Sequence, residues 1–225
     1  MTIPVIAIDG PSASGKGTVA QRVADKLGFH YLDSGALYRI VAYAGKQYNI
    51  AWNQGETLAE MAAKLEIRFD DGQIYLNGNI ITEEVRSEEI SRGASEVAVH
   101  PAVRTALLAL QHSFRQAPGL VADGRDMATV VFPDAIAKVY LTASAEVRAE
   151  RRYKQLMEKE IHANLQDILQ DLRNRDTRDQ QRATAPLQKT DDAMLLVTDQ
   201  LSIDQAVEKV LQHYRQASQH PAPQA

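Results

Sequence analysis

Residues 10–18 read Gly-Pro-Ser-Ala-Ser-Gly-Lys-Gly-Thr, which is the Walker A spacing: a glycine, four residues, then Gly-Lys. Such a loop binds a phosphate chain with its backbone. Gly10 and Gly15 allow the chain to turn without Cβ atoms in the way. The amides of Pro11-to-Thr18 neighbours such as Ser12, Ala13, Ser14 and Gly15 then wrap an anion. Lys16 supplies a mobile point charge for the β- and γ-phosphates of a nucleoside triphosphate. The frame expects a hydroxyl directly after the lysine. Here Gly17 stands in that place and Thr18 follows, so the usual Mg²⁺-binding hydroxyl is shifted by one residue. The plainer alternative is a Gly/Ser-rich turn that binds nothing.

Phosphoryl transfer also needs cations around the moving group, and arginine suits this because its planar fork matches two phosphate oxygens. Arg173, Arg175, Arg178 and Arg182 lie among Asp171, Asp176 and Asp179. Positions 175, 178, 179 and 182 follow the i, i+3, i+4, i+7 pattern of one helical face. That face reads either as solvated ion pairs such as Arg175–Asp179 or as a lid that carries arginines to the reacting phosphate. Arg39 follows a helix start at Asp33-Ser34, and Arg125 lies just past an apolar run that ends at Asp123. Asp123 reads as a Walker B carboxylate acting on Mg²⁺ through water, or as a loop-capping aspartate.

These groups must be positioned by an alternation of strands and helices. Ile3–Ile8 is a short apolar, β-branched run, read as a buried parallel strand that feeds the loop. Thr18–Leu27 then reads as a helix stopped by Gly28, Phe29–Leu32 as a strand, and Asp33 or Ser34 as the cap of the next helix. From about 49 to 98 the texture changes. Ile67–Asp70, Gln73–Leu76 and Asn79–Ile81 alternate around Asp71-Gly72 and Asn77-Gly78, which favour hairpin turns, so an antiparallel patch is expected as an insert. Glu88–Val97 and Val103–Arg115 read as helices. Leu120–Asp123, Ala137–Leu141 and Ala193–Val197 continue the strand pattern. Helices are expected from Ser144 to Leu156, Asn164 to Arg182 (ended by Pro186) and Ser202 to Gln216. The fold class is α/β: a three-layer P-loop fold on a parallel sheet, with the antiparallel insert and a helical lid. The expected organisation is a core of 1–48, 99–156 and 187–217, an insert of about 49–98, a lid of about 157–186 and a frayed tail of 218–225.

The 225 residues suffice for one such unit, with 44% hydrophobic and 24% charged side chains. A net charge of −4 argues against nucleic-acid binding over a broad surface. The chain has no cysteine, which excludes disulfides and thiolate metal sites, and its six histidines are scattered without ligand spacing. No apolar run approaches the length of a membrane span, so a soluble, cytoplasmic protein is expected, acting without membrane or nucleic-acid partners and as a monomer.

With its GKGT ending, the loop resembles that of the nucleoside monophosphate kinases. The segments DSGALYR (33–39), DGRDMATVVFPDA (123–135) and RDTRDQQRATAPL (175–187) closely resemble those of bacterial cytidylate kinases, up to the tail. The resemblance implies ATP and Mg²⁺ as cofactors, CMP and dCMP as acceptors, and a place in pyrimidine nucleotide metabolism. By that resemblance Arg39 and Arg125 hold the CMP phosphate, with Ser34 lining the same site. Asp126 accepts from the cytosine N4 amino group, Ser95 and Arg104 donate to N3 and O2, and Asp179 faces the ribose. Arg175, Arg178 and Arg182 become lid residues at the transferred group; with Lys16 and Arg125 they form the catalytic set, and Arg175 also touches CMP. Asp126 would reject uracil, which has a carbonyl at the corresponding position. Two other readings stand beside this one: a P-loop kinase for AMP, shikimate or dephospho-CoA, and a nucleotide switch that signals to a partner.

Overall fold

The computed structural model describes residues 2–70, 72–158 and 160–219. The chain forms two compact units, one of Met1–Leu32 with Phe114–Ala225 and the other of Asp33–Ser113.

In the first unit a five-stranded sheet has the order β2-β6-β1-β7-β8. Its strands are β1 (Val5–Asp9), β2 (His30–Asp33), β6 (Leu120–Gly124), β7 (Ala137–Thr142) and β8 (Met194–Val197). β1 pairs parallel with β6 and β7, and β7 pairs parallel with β8. β1 and β6 are buried throughout, which explains their unbroken apolar runs. Helices α1 (Lys16–Leu27), α6 (Ala145–Glu158), α7 (Leu165–Gln181) and α8 (Ile203–Gln219) complete the unit. Ile6, Ile8, Val19, Val23, Val121, Val139, Leu141, Val207 and Val210 lie in one apolar core between sheet and helices. Register places the ends of β1 and β6 side by side, Ile8 against Asp123 and Asp9 against Gly124. Such strand ends are where open α/β sheets bind ligands.

The second unit contains α2 (Ser34–Gln47), α3 (Gly55–Ala62), the hairpin sheet β3 (Ile67–Asp70), β4 (Gln73–Leu76) and β5 (Asn79–Ile80), then α4 (Glu88–Val97) and α5 (Pro101–Ser113). β4 turns into β5 through Asn77 (φ 49°) and Gly78 (φ 83°), the two positive φ values of a type I′ turn. The Asp71-Gly72 turn lies partly outside the described residues, since Asp71 is not among them. This unit is wider than the expected insert of 49–98, because α2 packs on α4 and α3 on α5. The four helices bury Leu37, Ile40, Leu58, Ile90, Val97 and Leu107 together. Helix α3 has no clear signal in the sequence: its apolar face is only Leu58, Met61 and Ala62, too short a run to announce a helix.

Several boundaries are explained by caps. Asp33 caps α2, its Oδ1 accepting from the Ala36 amide at 3.0 Å, and Gly28 ends α1 in the left-handed region at φ 65°. Asn164 caps α7 by accepting from Gln166 at 2.8 Å. α7 ends within a residue of the expected bound, at Gln181, but the stop is not Pro186: Arg182 already turns extended at ψ 139°. The loop then folds back, with the Leu187 amide donating to the Asp179 carbonyl at 2.8 Å.

Trp52 fixes the spacing of the helices that carry Ser34, Arg39 and Ser95. Its indole donates to the Ala42 carbonyl of α2 at 3.0 Å, and a Cβ added at Gly93 of α4 would lie 2.5 Å from its ring. Gly93→Ala is therefore expected to destabilise by about 1–3 kcal/mol through overpacking. A melting curve should show a fall in Tm of roughly 2–10 °C; an unchanged Tm would mean the ring can swing aside at no cost.

Candidate active site: a phosphate nest beside an arginine cluster

The loop between β1 and α1 leaves the strand through a contact only glycine permits. A Cβ on Gly10 would stand 1.9 Å from the Leu141 carbonyl oxygen of β7. Further along, Ala13 (φ 58°) and Gly15 (φ 89°) adopt the left-handed conformation. Alternation of this kind gathers successive amides into a concavity that attracts anions. Gly15 is also the N-cap of α1, so the unpaired amides of the helix start open at the same place. The Ser14 hydroxyl is buried without a hydrogen-bond partner, an orphan that a phosphate oxygen would satisfy.

Lys16 Nζ lies 3.5 Å from the Pro11 carbonyl and 3.9 Å from Asp123 Oδ2. Asp123 in turn accepts from the Tyr31 hydroxyl at 2.7 Å. A Cβ at Gly17 would lie 4.0 Å from both Asp123 oxygens and 3.5 Å from the Tyr31 hydroxyl, so the residue after the lysine faces this carboxylate. Thr18 is exposed on α1. Among the described residues no cluster of three or more Asp, Glu or His side chains forms a metal cage. The donor set fits Mg²⁺, which keeps several waters and takes most of its remaining ligands from phosphates.

Asp9, at the end of β1, is an unforeseen member of the site. Its two carboxylate oxygens accept from the amides of Met127 (2.9 Å) and Ala128 (2.8 Å). These are the first amides of a single π-helical turn, Met127–Val131. Asp126, at the N-cap of that turn, makes no capping bond with its own side chain. Asp9 therefore caps the turn from a distant strand and holds Asp126 in place. Burial pushes the Asp9 carboxyl from 3.8 up to about 7, against the opposing pull of the two amides and Lys16.

Arg125 donates from Nε to Asp179 Oδ2 of α7 at 2.8 Å. Burial works against ionisation of both partners, yet each other's charge keeps the Arg125 guanidinium protonated more firmly than usual and holds the Asp179 carboxyl below its ordinary value. Arg175 and Arg182 add to the pull on Asp179. Arg182 Nη2 lies 3.9 Å from Asp126, and its Nε donates to the Ala185 carbonyl at 2.6 Å. Asp179 thus bonds Arg125 across 54 residues, and Asp126 faces Arg182. Along that face of α7 Asp179 is buried and Arg175 and Arg182 are partly so, whereas Arg178 is exposed.

In the second unit Ser34 is buried at the start of α2. Arg39 Nη2 pairs with Asp33 Oδ2 at 2.6 Å, and its Nε is buried without a hydrogen-bond partner. Ser95 is buried on α4 with its hydroxyl likewise unpartnered. Arg104 is buried on α5, donating to the Ala98 carbonyl at 3.2 Å with its guanidinium 5.5 Å from the Tyr38 ring centre.

The family model described as cytidylate kinase matches residues 6–216. The chain belongs to the cytidylate kinase family. It is 60% identical to the cytidylate kinase of Polynucleobacter asymbioticus over 96% of this chain and 98% of that one. It is 57% identical to that of Chromobacterium violaceum over 98% of this chain and 100% of that one. A gluconokinase from Sinorhizobium meliloti has a similar fold, with a TM-score of 0.51 at 15% identity over 97% of this chain and 96% of that one. TT1252 from Thermus thermophilus gives 0.50 at 20% identity, covering 99% and 100%. These two share the fold alone. The GPSASGKGT and DGRDMATVVFPDA segments that signalled the family thus form, in this fold, the phosphate nest, the Asp123 strand end and the Asp126 turn.

Sequence reading missed Asp9, Tyr31, Arg148, Arg151 and Thr198. None lies within a spacing that marks a site, and each acts on residues far away in the chain. Asp9 generates a prediction. Its folded-state pKa is raised, so between pH 4 and 7 the folded protein binds a proton that the unfolded chain has lost. Its contribution to stability therefore falls as pH rises through that window and levels off above about 7. In urea titrations the stability of the wild type relative to Asp9→Asn should drop between about pH 5 and about pH 8. A difference that stays flat would mean that Asp9 is ionised in the folded protein throughout.

Proposed function

We propose that this protein transfers the γ-phosphoryl group of ATP to CMP, and to dCMP, yielding the nucleoside diphosphate and ADP. The whole-length match to cytidylate kinases carries this reading, and the chemistry of the loop agrees with it. A phosphate oxygen of CMP attacks the γ-phosphorus in line while the bond to the β-phosphate oxygen breaks. That oxygen is ionised near neutral pH, so no general base is needed, and the protein's task is placement and neutralisation of charge.

The loop amides and Lys16 hold the β- and γ-phosphates. Asp123 would hold Mg²⁺ through water, and the bound ion would supply further charge neutralisation. Arg125, Arg175 and Arg182 support the charge of the transferring group, and Arg178 joins them if the 157–186 segment acts as a lid. Arg39 and Arg125 hold the CMP phosphate with Ser34 lining the same site, Ser95 and Arg104 donate to the base, and Asp126 accepts from the cytosine amino group. Asp179 faces the ribose. The unpartnered Ser95 hydroxyl and Arg39 Nε support these roles, since buried donors of this kind are costly until a ligand satisfies them. No helix among the described residues is long and apolar enough to cross a membrane.

A coupled ADP-release assay across CMP, dCMP, UMP, AMP and shikimate tests the reading: CMP and dCMP should turn over fastest, and a stronger response to AMP or shikimate would overturn it. Lys16→Ala should lower kcat by roughly two or more orders of magnitude with an unchanged circular-dichroism spectrum, as expected when a charge on the transferring group is lost. Near-normal turnover would remove the loop from the mechanism. Asp126→Ala should weaken CMP binding by roughly 10–100-fold, the loss of one charge-assisted hydrogen bond. ATP affinity should stay within about twofold of wild type; calorimetry showing equal losses for both nucleotides would make Asp126 structural.

A further inference from the structure

Two arginines on α6, Arg148 and Arg151, lie three residues apart and share a face, and both reach the back of the phosphate loop. Arg148 is 4% exposed. Its Nη1 donates to the Ser12 carbonyl at 3.1 Å and its Nε to the Ala143 carbonyl at 3.0 Å. The same guanidinium grips Asp176 of α7 bidentately, at 3.1 and 2.5 Å. Arg151 Nη1 donates to the Ser14 carbonyl and to Thr198 Oγ1, each at 3.2 Å, and its Nη2 donates to the Thr198 carbonyl at 2.7 Å.

The two carbonyls held in this way are the ones that matter. In a trans peptide the C=O and the following N–H point in opposite directions. A guanidinium that draws the Ser12 oxygen backwards aims the Ala13 amide forwards, and one that draws the Ser14 oxygen backwards aims the Gly15 amide forwards. Ala13 and Gly15 are the two left-handed residues of the nest. Alanine resists that conformation, so the loop needs an external hold to keep it there. Carbonyls that accept from a cation also make the linked amides stronger donors. Arg148 spends its Nε, Nη1 and Nη2 donors on protein acceptors, which suits a support better than a nucleotide ligand.

We propose that Arg148 and Arg151 are positioning residues of the phosphate site, holding the Ser12 and Ser14 carbonyls so that the nest faces inward before any phosphate arrives. Through Asp176, Arg148 also ties that state to α7, the helix carrying Arg175 and Arg178. The inference rests on the reading that the loop binds the triphosphate of ATP.

The test compares wild type, Arg151→Lys and Arg148→Lys by hydrogen exchange of the nucleotide-free protein and by calorimetric titration with inorganic tripolyphosphate, ATP and CMP. Lysine keeps the charge but loses the fork. In the lysine variants, exchange over residues 11–17 should rise several-fold without ligand. Tripolyphosphate and ATP should bind about tenfold more weakly while CMP stays within about twofold. Weaker phosphate binding with unchanged exchange in the free protein would make the arginines direct ligands and overturn the proposal; so would unchanged phosphate affinity. Thr198→Val, nearly isosteric, keeps the test decisive if a lysine variant does not fold: it removes the hydroxyl that anchors Arg151 and that itself donates to the Ser14 carbonyl at 3.4 Å, so exchange in the same segment should rise, and no rise would count against the proposal. Failure of the wild type to bind tripolyphosphate would instead sink the nucleotide-binding reading itself.

Discussion

A backbone loop that turns its amides towards an anion must turn its carbonyl oxygens the other way, and those oxygens need partners wherever water is excluded. Much of the first unit can be understood from that requirement. β7 brings the Leu141 carbonyl so close to Gly10 that no side chain fits there, which sets where the loop begins. α1 begins at Lys16, so its unpaired amides extend the nest. On the far side, α6 and the end of β8 supply guanidinium and hydroxyl donors to the Ser12 and Ser14 carbonyls. The core of valine, isoleucine and leucine between sheet and helices keeps these ends in register.

Around the nest the structure gathers charges of both signs in little water. Asp9 is buried, which pushes its carboxyl up to about 7; Asp123 sits by Lys16; Asp126 and Asp179 each face an arginine. Buried ion pairs are weak contributors to stability, because desolvation offsets most of the attraction. Their value here is geometric. Arg125 and Asp179 lie on different elements, so their bond sets α7 against the end of β6. Removing one partner would leave the other charged and buried, which costs about 3–5 kcal/mol. Such pairs also keep arginine forks preordered for phosphate oxygens, as an electrostatic catalyst requires.

Part of this was written locally in the chain. The strand–loop–helix around residues 3–27, the hairpin at Asn77-Gly78 and the caps at Asp33 and Asn164 follow from nearest-neighbour chemistry: β-branched runs, positive-φ residues and short polar side chains at helix starts. Local rules failed where the chain returned from afar. Helix spacing marks Arg175 as a neighbour of Asp179 but gives no sign of Arg125, which bonds Asp179 from just past the end of β6. Pro186 looked like a helix stop, but the fold-back of Leu187 onto Asp179 ended α7 at Gln181.

By itself, then, the amino-acid sequence determined the class of chemistry, the phosphate loop with its lysine, the alternation of strands and helices and the family. These are encoded in contiguous segments, and a backbone nest needs only glycines and a helix start at fixed spacing. Tertiary structure alone decided which carboxylate meets which arginine, that Asp9 caps the Asp126 turn, and that Arg148 and Arg151 stand behind the nest. Those contacts join residues from 54 to 137 positions apart. Long-range pairing is set by how the elements pack against a shared apolar core, and no local spacing carries that information.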